Sequence, residues 1–325
     1  MKENGKIIAE MNKRGRRNEP FVFVIDFNTT TAKLFRPEET DKIWWQANEQ
    51  SNFARPATEK KEIQWETEPV SFSHYKKGFD LVQQHIHNGD TYLLNYTQST
   101  RVKTNLSPEE IFHHSEARYK VLLKDEFVCF SPERFVQIDA GKISSYPMKG
   151  TMDASLPNAK ERILNDSKEL AEHNTIVDLI RNDLSLVAEN VTVEKFRYLE
   201  RLKTNQRDLW QVSSKISGHL PENYTEQIGD ILFKMLPAGS ICGAPKKKTV
   251  EIIKAAENYD RGFYTGIFGY FDGHNLDSCV LIRYIEIQGD ELIYKSGGGI
   301  TFLSNAESEY EELVKKVYIP VFRKD

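Results

Sequence analysis

The chain of 325 residues is 39% hydrophobic and 28% charged, a balance that belongs to a globular fold with a sizeable core and excludes a low-complexity polypeptide. Its formal charge of −4 gives no electrostatic footprint for nucleic acid, and no apolar run reaches the roughly 18 residues of a membrane span. Cys129, Cys242 and Cys279 are widely separated, so neither a disulfide framework nor a zinc site is expected, and a reducing, cytoplasmic compartment is.

The first apolar run, Phe21 to Phe27, follows a basic stretch and is interrupted by Asp26. Its β-branched and aromatic content reads as a buried strand and not a signal peptide, with a turn over the following Asn28 and threonines. From about 36 to 68 the chain is charged and weakly periodic, and is expected to be irregular or partly helical surface anchored by Trp44, Trp45 and Trp65. Tyr75, Phe79, Val82 and Ile86 form a helical stripe that Asn88 and Gly89 end. A strand is expected over 92–97. Ser107 as an N-cap, with Glu110 three residues later, predicts a helix over 108–122. Strands follow at 127–130, 135–138 and 142–146, the last two joined by a turn at Gly141.

The loop from Tyr146 to Thr151 then places Lys149 between a proline-restricted segment and a glycine. Read alone, it is an exposed turn lysine. Over 168–188, Leu170, Ile176, Val177 and Ile180 recur near helical spacing and leave Glu169, Glu172 and Asp183 on a polar face. Glu169 and Glu172 are three apart, so they share one side of the helix. Near the end of the chain Glu309 and Glu312 repeat the arrangement, with Lys316 four residues on. Two helices that offer carboxylates to one point suit a hard divalent cation, since Mg²⁺ takes one or two carboxylates plus water and substrate. The same residues would also serve as solvated helix faces, the reading that spacing alone favours.

Strands are expected around 191–201 and 209–220, and a helix over 225–235. The segment from Leu236 to Lys248 turns tightly into a helix with Pro245 in its first turn. Its glycines and free N–H groups suit either an anion or a well-capped connection. Strands over 263–271, 278–287 and 291–296, the run Gly297, Gly298 and Gly299, and a last helix complete the chain. With no repeat and no Pro/Ser-rich linker, one large domain is expected. Strands in runs with interspersed helices argue for antiparallel sheets in an α+β layering.

The blocks AEHNTIVDLIRNDL, MLPAGSICGAPK, RGFYTGIFGYF, LIRYIE and GGGITFLSNAESEYEE occur in that order. Together they resemble the signature blocks of the chorismate-utilising enzymes, which include anthranilate synthase component I, aminodeoxychorismate synthase component I, isochorismate synthase and salicylate synthase. The resemblance runs from about residue 89 to the C-terminus. The start, MNKRGRRNEPFVFVIDF, resembles the compact aminodeoxychorismate synthase form with a shortened N-terminal region, here about 1–70. The resemblance implies a single chorismate-binding domain over 1–325: an α+β sandwich of two large antiparallel sheets, helices between and around them, and a Mg²⁺-dependent site for chorismate.

Matched residue by residue, the resemblance implies Glu172, Glu309 and Glu312 as Mg²⁺ carboxylates, with Glu169 as a neighbouring member. It implies Arg283, Tyr264, Thr151, Lys316 and the backbone of Gly297, Gly298 and Gly299 as substrate-binding groups, the planar Arg fork suiting a carboxylate. Glu133 matches the general acid, whose pKa a desolvated pocket would raise. Lys149 matches the lysine of the aminodeoxychorismate synthase subgroup, a nucleophile whose pKa is expected to be depressed. Two positions depart from the pattern: Cys242 stands where a Thr is common, and Leu93 where a Gln, or the base lysine of isochorismate and salicylate synthases, is common.

The resemblance thus implies Mg²⁺-dependent amination of chorismate with ammonia to 4-amino-4-deoxychorismate, in the folate (para-aminobenzoate) branch. The ammonia is expected from a separate glutamine amidotransferase subunit, because the chain has no G-x-C-x-G nucleophile segment. Neither nucleic acid nor membrane is an expected partner. Anthranilate synthase component I is the alternative enzyme. A non-catalytic chorismate- or tryptophan-binding regulatory relative is the alternative of another class.

Overall fold

The computed structural model describes residues 3–54, 61–202 and 208–320. Its layering is visible in the strand Phe21–Ile25, where every side chain is buried. Phe21, Phe23 and Ile25 enter one core, while Val22 and Val24 enter another. A strand buried on both faces needs a continuous apolar run, which is what FVFVI supplies.

Among the described residues the strands form two antiparallel, nine-stranded sheets. The first runs in the order Met148–Asp153, Leu209–His219, Lys142–Ser145, Arg134–Asp139, Leu276–Val280, Ile267–Phe271, Phe21–Ile25, Ala32–Phe35, with Glu189–Leu202 also paired to Leu209–His219. The second runs Gly243–Ala244, Leu93–Thr104, Glu291–Ile300, Tyr284–Gln288, Phe127–Ser131, Tyr119–Leu123, Ile43–Ala47, Gln50–Ser51, with Trp65–Pro69 also on Leu93–Thr104. The helices Phe72–His87, Ser167–Ser185, Ile228–Met235, Lys246–Glu257 and Ala306–Lys315 add their apolar faces to the core that joins the two sheets. The architecture is the α+β sandwich expected. No described helix is long and apolar enough to cross a membrane.

Several elements differ from expectation. The capping box of Ser107 and Glu110 forms, but its helix ends at His114. Beyond it Tyr119–Leu123 is fully buried and pairs with strands on both edges, and two ladders outweigh helical propensity. The stretch 36–68 gives three strands to the second sheet and no helix among its described residues. Trp45 is buried there, with Trp44 and Trp65 half-buried. The basic N-terminal stretch is a helix, Glu3–Arg16, held by Asn12, which donates to Asp230 at 2.6 Å and accepts from the Gly229 amide at 2.8 Å. In the helix Ser167–Ser185 the buried stripe is Ile176, Val177, Leu179, Ile180 and Leu184, while Leu170 is exposed. Asp183, expected on the polar face, is buried against Lys246 at 2.6 Å.

The strand expected over 278–287 is two strands in different sheets, Leu276–Val280 and Tyr284–Gln288. Phe127–Ser131 and Arg134–Asp139 are divided between the sheets in the same way. The two chains cross side by side as one bent ribbon. The Val280 amide donates to the Glu133 carbonyl at 3.1 Å, and the Phe130 amide to the Arg283 carbonyl at 3.0 Å. Arg283 takes the left-handed conformation, φ 54°, a strained backbone for a non-glycine residue at the bend.

A buried ion pair fixes the surroundings. Arg261 and Glu257 have side chains only 1% exposed and meet at 2.5 Å. Arg261 also donates to the carbonyls of Asn95 and Ile241, and the Thr97 amide and hydroxyl donate to Glu257. Arg261→Met would leave a buried carboxylate unpaired and is expected to cost about 3–5 kcal/mol. Reversible denaturation checks this, and a loss below about 1 kcal/mol would show that the pair is dispensable.

Candidate active site

The ribbon that passes between the sheets brings Glu133 and Arg283 to one place. Both line a cavity of about 630 Å³. Burial raises the Glu133 carboxyl above its ordinary value, opposed by a hydrogen bond from Ser240 and by the charges of Arg283, Lys149 and Lys316. Glu133 keeps some contact with the cavity, so its surface is only half-buried although protein surrounds it. Such a group holds its proton to a higher pH than a free carboxyl. Arg283 stacks on the Tyr318 ring at 5.6 Å and has no carboxylate within ion-pair distance among the described residues. Its fork is available to an anion in the cavity.

Lys149 lines the same cavity. The strand Met148–Asp153 shifts register against Leu209–His219 between Met148 and Thr151, and Gly150 has φ +82°. This bulge re-aims the lysine. A Cβ on Gly150 would lie 2.8 Å from Glu169 Oε2, so glycine also keeps the bulge clear of that carboxylate. Lys149 Nζ meets Glu172 Oε2 at 2.7 Å. Burial alone would lower the amine's pKa, but the carboxylates of Glu172, Glu169 and Glu312 together outweigh it and raise the value. The depression expected of a nucleophile is thus reversed, because the structure surrounds the amine with carboxylates.

The helix Ala306–Lys315 brings the second carboxylate pair. Lys316 Nζ sits 2.6 Å from Glu312 Oε1 and donates to the Gly297 carbonyl at 2.8 Å, and Glu309 accepts the Ser304 hydroxyl at 2.8 Å. Gly297, Gly298 and Gly299 are not a loop but the end of the strand Glu291–Ile300, paired with Thr97, Tyr96 and Asn95. Tyr284–Gln288 pairs only as far as Lys295, so the glycines lie past its end, beside Arg283. A Cβ on Gly298 would lie 3.4 Å from Glu309 Oε2 and 3.7 Å from Lys316 Nζ. One on Gly299 would lie 3.1 Å from Leu93 Cδ1 and 3.8 Å from Lys149 Nζ. The glycines leave room between the charged groups.

Glu133, Lys149, Thr151, Glu169, Glu172, Tyr264, Arg283, Gly297, Gly298, Gly299, Glu309, Glu312 and Lys316 all line this one cavity. Among the described residues, no three His, Cys, Asp or Glu side chains are grouped closely enough to hold a metal ion. The donor chemistry nevertheless fits Mg²⁺, which needs only one or two direct carboxylates. Glu172 and Glu312 now face ammonium groups that a cation would displace.

Leu93 lies in the cavity wall, presenting a hydrocarbon surface where a base would be polar. Cys242 is fully buried outside the lining, and its thiol faces the Gly243 carbonyl at 3.5 Å, so this departure does not touch the cavity. The glycine-bearing segment does meet an anion: the Gly239 amide donates to Asp183, which also pairs with Lys246. Sequence reasoning missed Ser240 and Gln211 in the wall. It also passed over His173, which is buried against Ser214 at 2.6 Å and pushed down by burial to about 4, hence neutral.

A sandwich of two antiparallel sheets around a cavity lined by a buried glutamate, an arginine and two lysine–carboxylate pairs has a counterpart among known proteins. Residues 18–321 match the family model described as chorismate binding enzyme, and the chain belongs to that family. It is 49% identical over 319 residues to a PabA-like protein of Haemophilus influenzae, covering 97% of this chain and 96% of that one. Aminodeoxychorismate synthase component 1 of Escherichia coli is 33% identical over 262 residues, 75% of this chain and 56% of that protein. Anthranilate synthase component 1 of Acetivibrio thermocellus is 30% identical over 332 residues, 97% of this chain and 64% of that protein. The fold also matches MenF, the menaquinone-specific isochorismate synthase of Escherichia coli, with a TM-score of 0.73 at 17% identity over 96% of this chain and 80% of that one.

The glycines separate structure from site. A Cβ on Gly297 would collide with the Tyr96 carbonyl, whereas one on Gly298 would project among the charged groups. Gly297→Ala is therefore expected to destabilise the fold. Gly298→Ala should keep the melting temperature within about 2 °C, the range of a surface change, and lose turnover. Melting curves beside activity measurements distinguish the two, and equal melting temperatures would contradict the assignment.

Proposed function

We propose that this chain is an aminodeoxychorismate synthase component I, which aminates chorismate with ammonia to 4-amino-4-deoxychorismate. The carrying observation is Lys149, which the bulge directs into the same cavity as Glu133 and Arg283. A purely binding relative would have no use for an amine in the same cavity as an acid whose pKa burial raises. In this reading the substrate's carboxylates meet Arg283, Lys316 and the glycine backbone. Mg²⁺ held by Glu172, Glu309 and Glu312, with Glu169 beside them, would bind the ring carboxylate and cancel the negative charge that keeps Lys149 protonated.

The neutral Lys149 amine forms a bond to ring carbon 2 as the two conjugated ring double bonds shift round toward carbon 4 and the carbon 4 hydroxyl leaves. Glu133 gives that hydroxyl its proton, and it departs as water. Ammonia then bonds to carbon 4, both double bonds shift back, the bond to Lys149 breaks to release its amine, and the surplus proton on the new nitrogen returns to the Glu133 carboxylate. Tyr264 and the Leu93 side chain form less polar parts of the wall. Leu93 supplies no base to activate water at carbon 2, which disfavours isochorismate formation. Ammonia comes from a separate glutamine amidotransferase subunit, and the chain acts as a single domain in the cytoplasm. The whole-chain match to an anthranilate synthase favours a second reading, in which ammonia attacks carbon 2 directly and yields anthranilate.

Product regiochemistry decides between them. Purified chain with chorismate, Mg²⁺ and ammonium is expected to give a product that needs a pyruvate-releasing lyase to become 4-aminobenzoate. Lys149→Ala should reduce that product by at least about 100-fold, the scale of losing a nucleophile. Anthranilate from the wild type, or an undiminished para product from Lys149→Ala, refutes the proposal.

The pH profile supplies a further check. Free ammonia increases with pH, while the proton on Glu133 is lost as pH rises through its raised pKa. Turnover with ammonium should therefore be bell-shaped, and Glu133→Gln should be inactive across the range. A Glu133→Gln enzyme with wild-type turnover would remove Glu133 from the proton-donor role.

A further inference from the structure

Beside the main cavity lies a second hollow of about 310 Å³, and the two share Leu93 and Glu172 in their walls. One side is Ser167, Ala171 and Thr175 of the helix that carries Glu169 and Glu172. The other is Thr301, Phe302 and Leu303, the turn that leads into the helix carrying Glu309 and Glu312. Tyr92, Phe302 and Leu303 are 70%, 61% and 68% exposed. Large apolar side chains gathered around a hollow are a feature to explain, unlike single exposed ones. The turn is tied directly to a carboxylate, since the Ser304 amide closes it onto the Thr301 carbonyl at 3.1 Å and the Ser304 hydroxyl donates to Glu309 at 2.8 Å.

The helix that carries Glu169 and Glu172 therefore faces, across an apolar gap, the turn before the helix that carries Glu309 and Glu312, while the carboxylates are not gathered into a metal-binding group among the described residues. We propose that Phe302 and Leu303 are positioning residues: drawing Glu309 and Glu312 toward Glu172 around a divalent cation closes the turn onto Ala171, Thr175 and Tyr92, and this burial holds the carboxylates together. The open form leaves the apolar side chains in water, and the closed form buries them. A cation that binds only the closed form shifts the population by its differential affinity, and the buried surface adds to the same shift. The inference rests on the proposed cation site, and the measurements distinguish failure of that site from failure of the closure.

Cys129, Cys242 and Cys279 are each no more than 1% exposed, so Leu303→Cys introduces a selectively reactive thiol. Its maleimide labelling is expected to slow by about tenfold or more when magnesium chloride and chorismate are added, the scale set by burying part of a large apolar side chain. The double variant Phe302→Ser with Leu303→Ser should need about tenfold more Mg²⁺ for half-saturation in calorimetry, with kcat at saturating Mg²⁺ and the melting temperature unchanged. Wild-type Mg²⁺ binding with unaltered labelling, or equal Mg²⁺ affinity in the double variant, overturns the closure and leaves the cation site standing. No Mg²⁺ binding by the wild type, with or without chorismate, overturns both.

Discussion

The buried pair of Arg261 and Glu257 is the constraint to which the walls of the cavity are referred. Its guanidinium reaches Asn95 in the strand beside the three glycines, Ile241 in the short helix that contains Ser240, and Thr265 next to Tyr264. Glu257 holds the Thr97 amide and hydroxyl of that same strand. A charge pair removed from water need not stabilise relative to apolar residues of equal volume. Here it supplies directed bonds: two N–H groups grip Glu257 and the others fix acceptors at Asn95, Ile241 and Thr265, on separate parts of the chain, as packing alone would not. The Phe27 ring covers the guanidinium at 4.5 Å and joins the N-terminal strand region to the same point.

The cavity occupies the place where the chain leaves one sheet for the other. Inside a sheet, backbone groups are committed to the ladder and side chains to a core. At the bend, Glu133 and Arg283 are freed from the alternation of their strands and turned toward the gap between layers. The positive φ of Arg283 and of Thr265, 54° and 60°, lies near this junction. Such conformations persist only where the surroundings over-determine them. The ladders on both sides of the bend and the Arg261 contact to Thr265 supply that determination.

Much of this was legible in the sequence because it is local. The two glutamate pairs, the stripe on the helix after Phe72 and the capping box at Ser107 are set by spacings of three and four residues. The crossing at 281–283 was not legible: β-forming residues run unbroken from Ser278 to Ile287, and only tertiary pairing divides them between sheets. Asp183 misled for a related reason. An acid in a helical pattern reads as solvent-facing, and its partner Lys246 is sixty-three positions away. The burial of the five residues from Tyr119 to Leu123 likewise depends on a strand distant in sequence, Ile43–Ala47, which a local helix signal does not register.

The same distinction explains the charge state of Lys149. A nucleophilic role calls for a depressed pKa, and burial pulls in that direction, but the carboxylates around the amine pull further the other way. The amine pairs with Glu172, and Lys316 with Glu312. On the proposed reading a dicarboxylate substrate approaching this arrangement meets Arg283 favourably and the glutamates unfavourably. On that reading a dication would reverse both problems together, attracting the substrate and weakening the hold of the glutamates on Lys149. In the proposed reaction substrate charge, cation charge and lysine deprotonation would then be linked, so that the amine would become reactive only with a ring carbon beside it to attack.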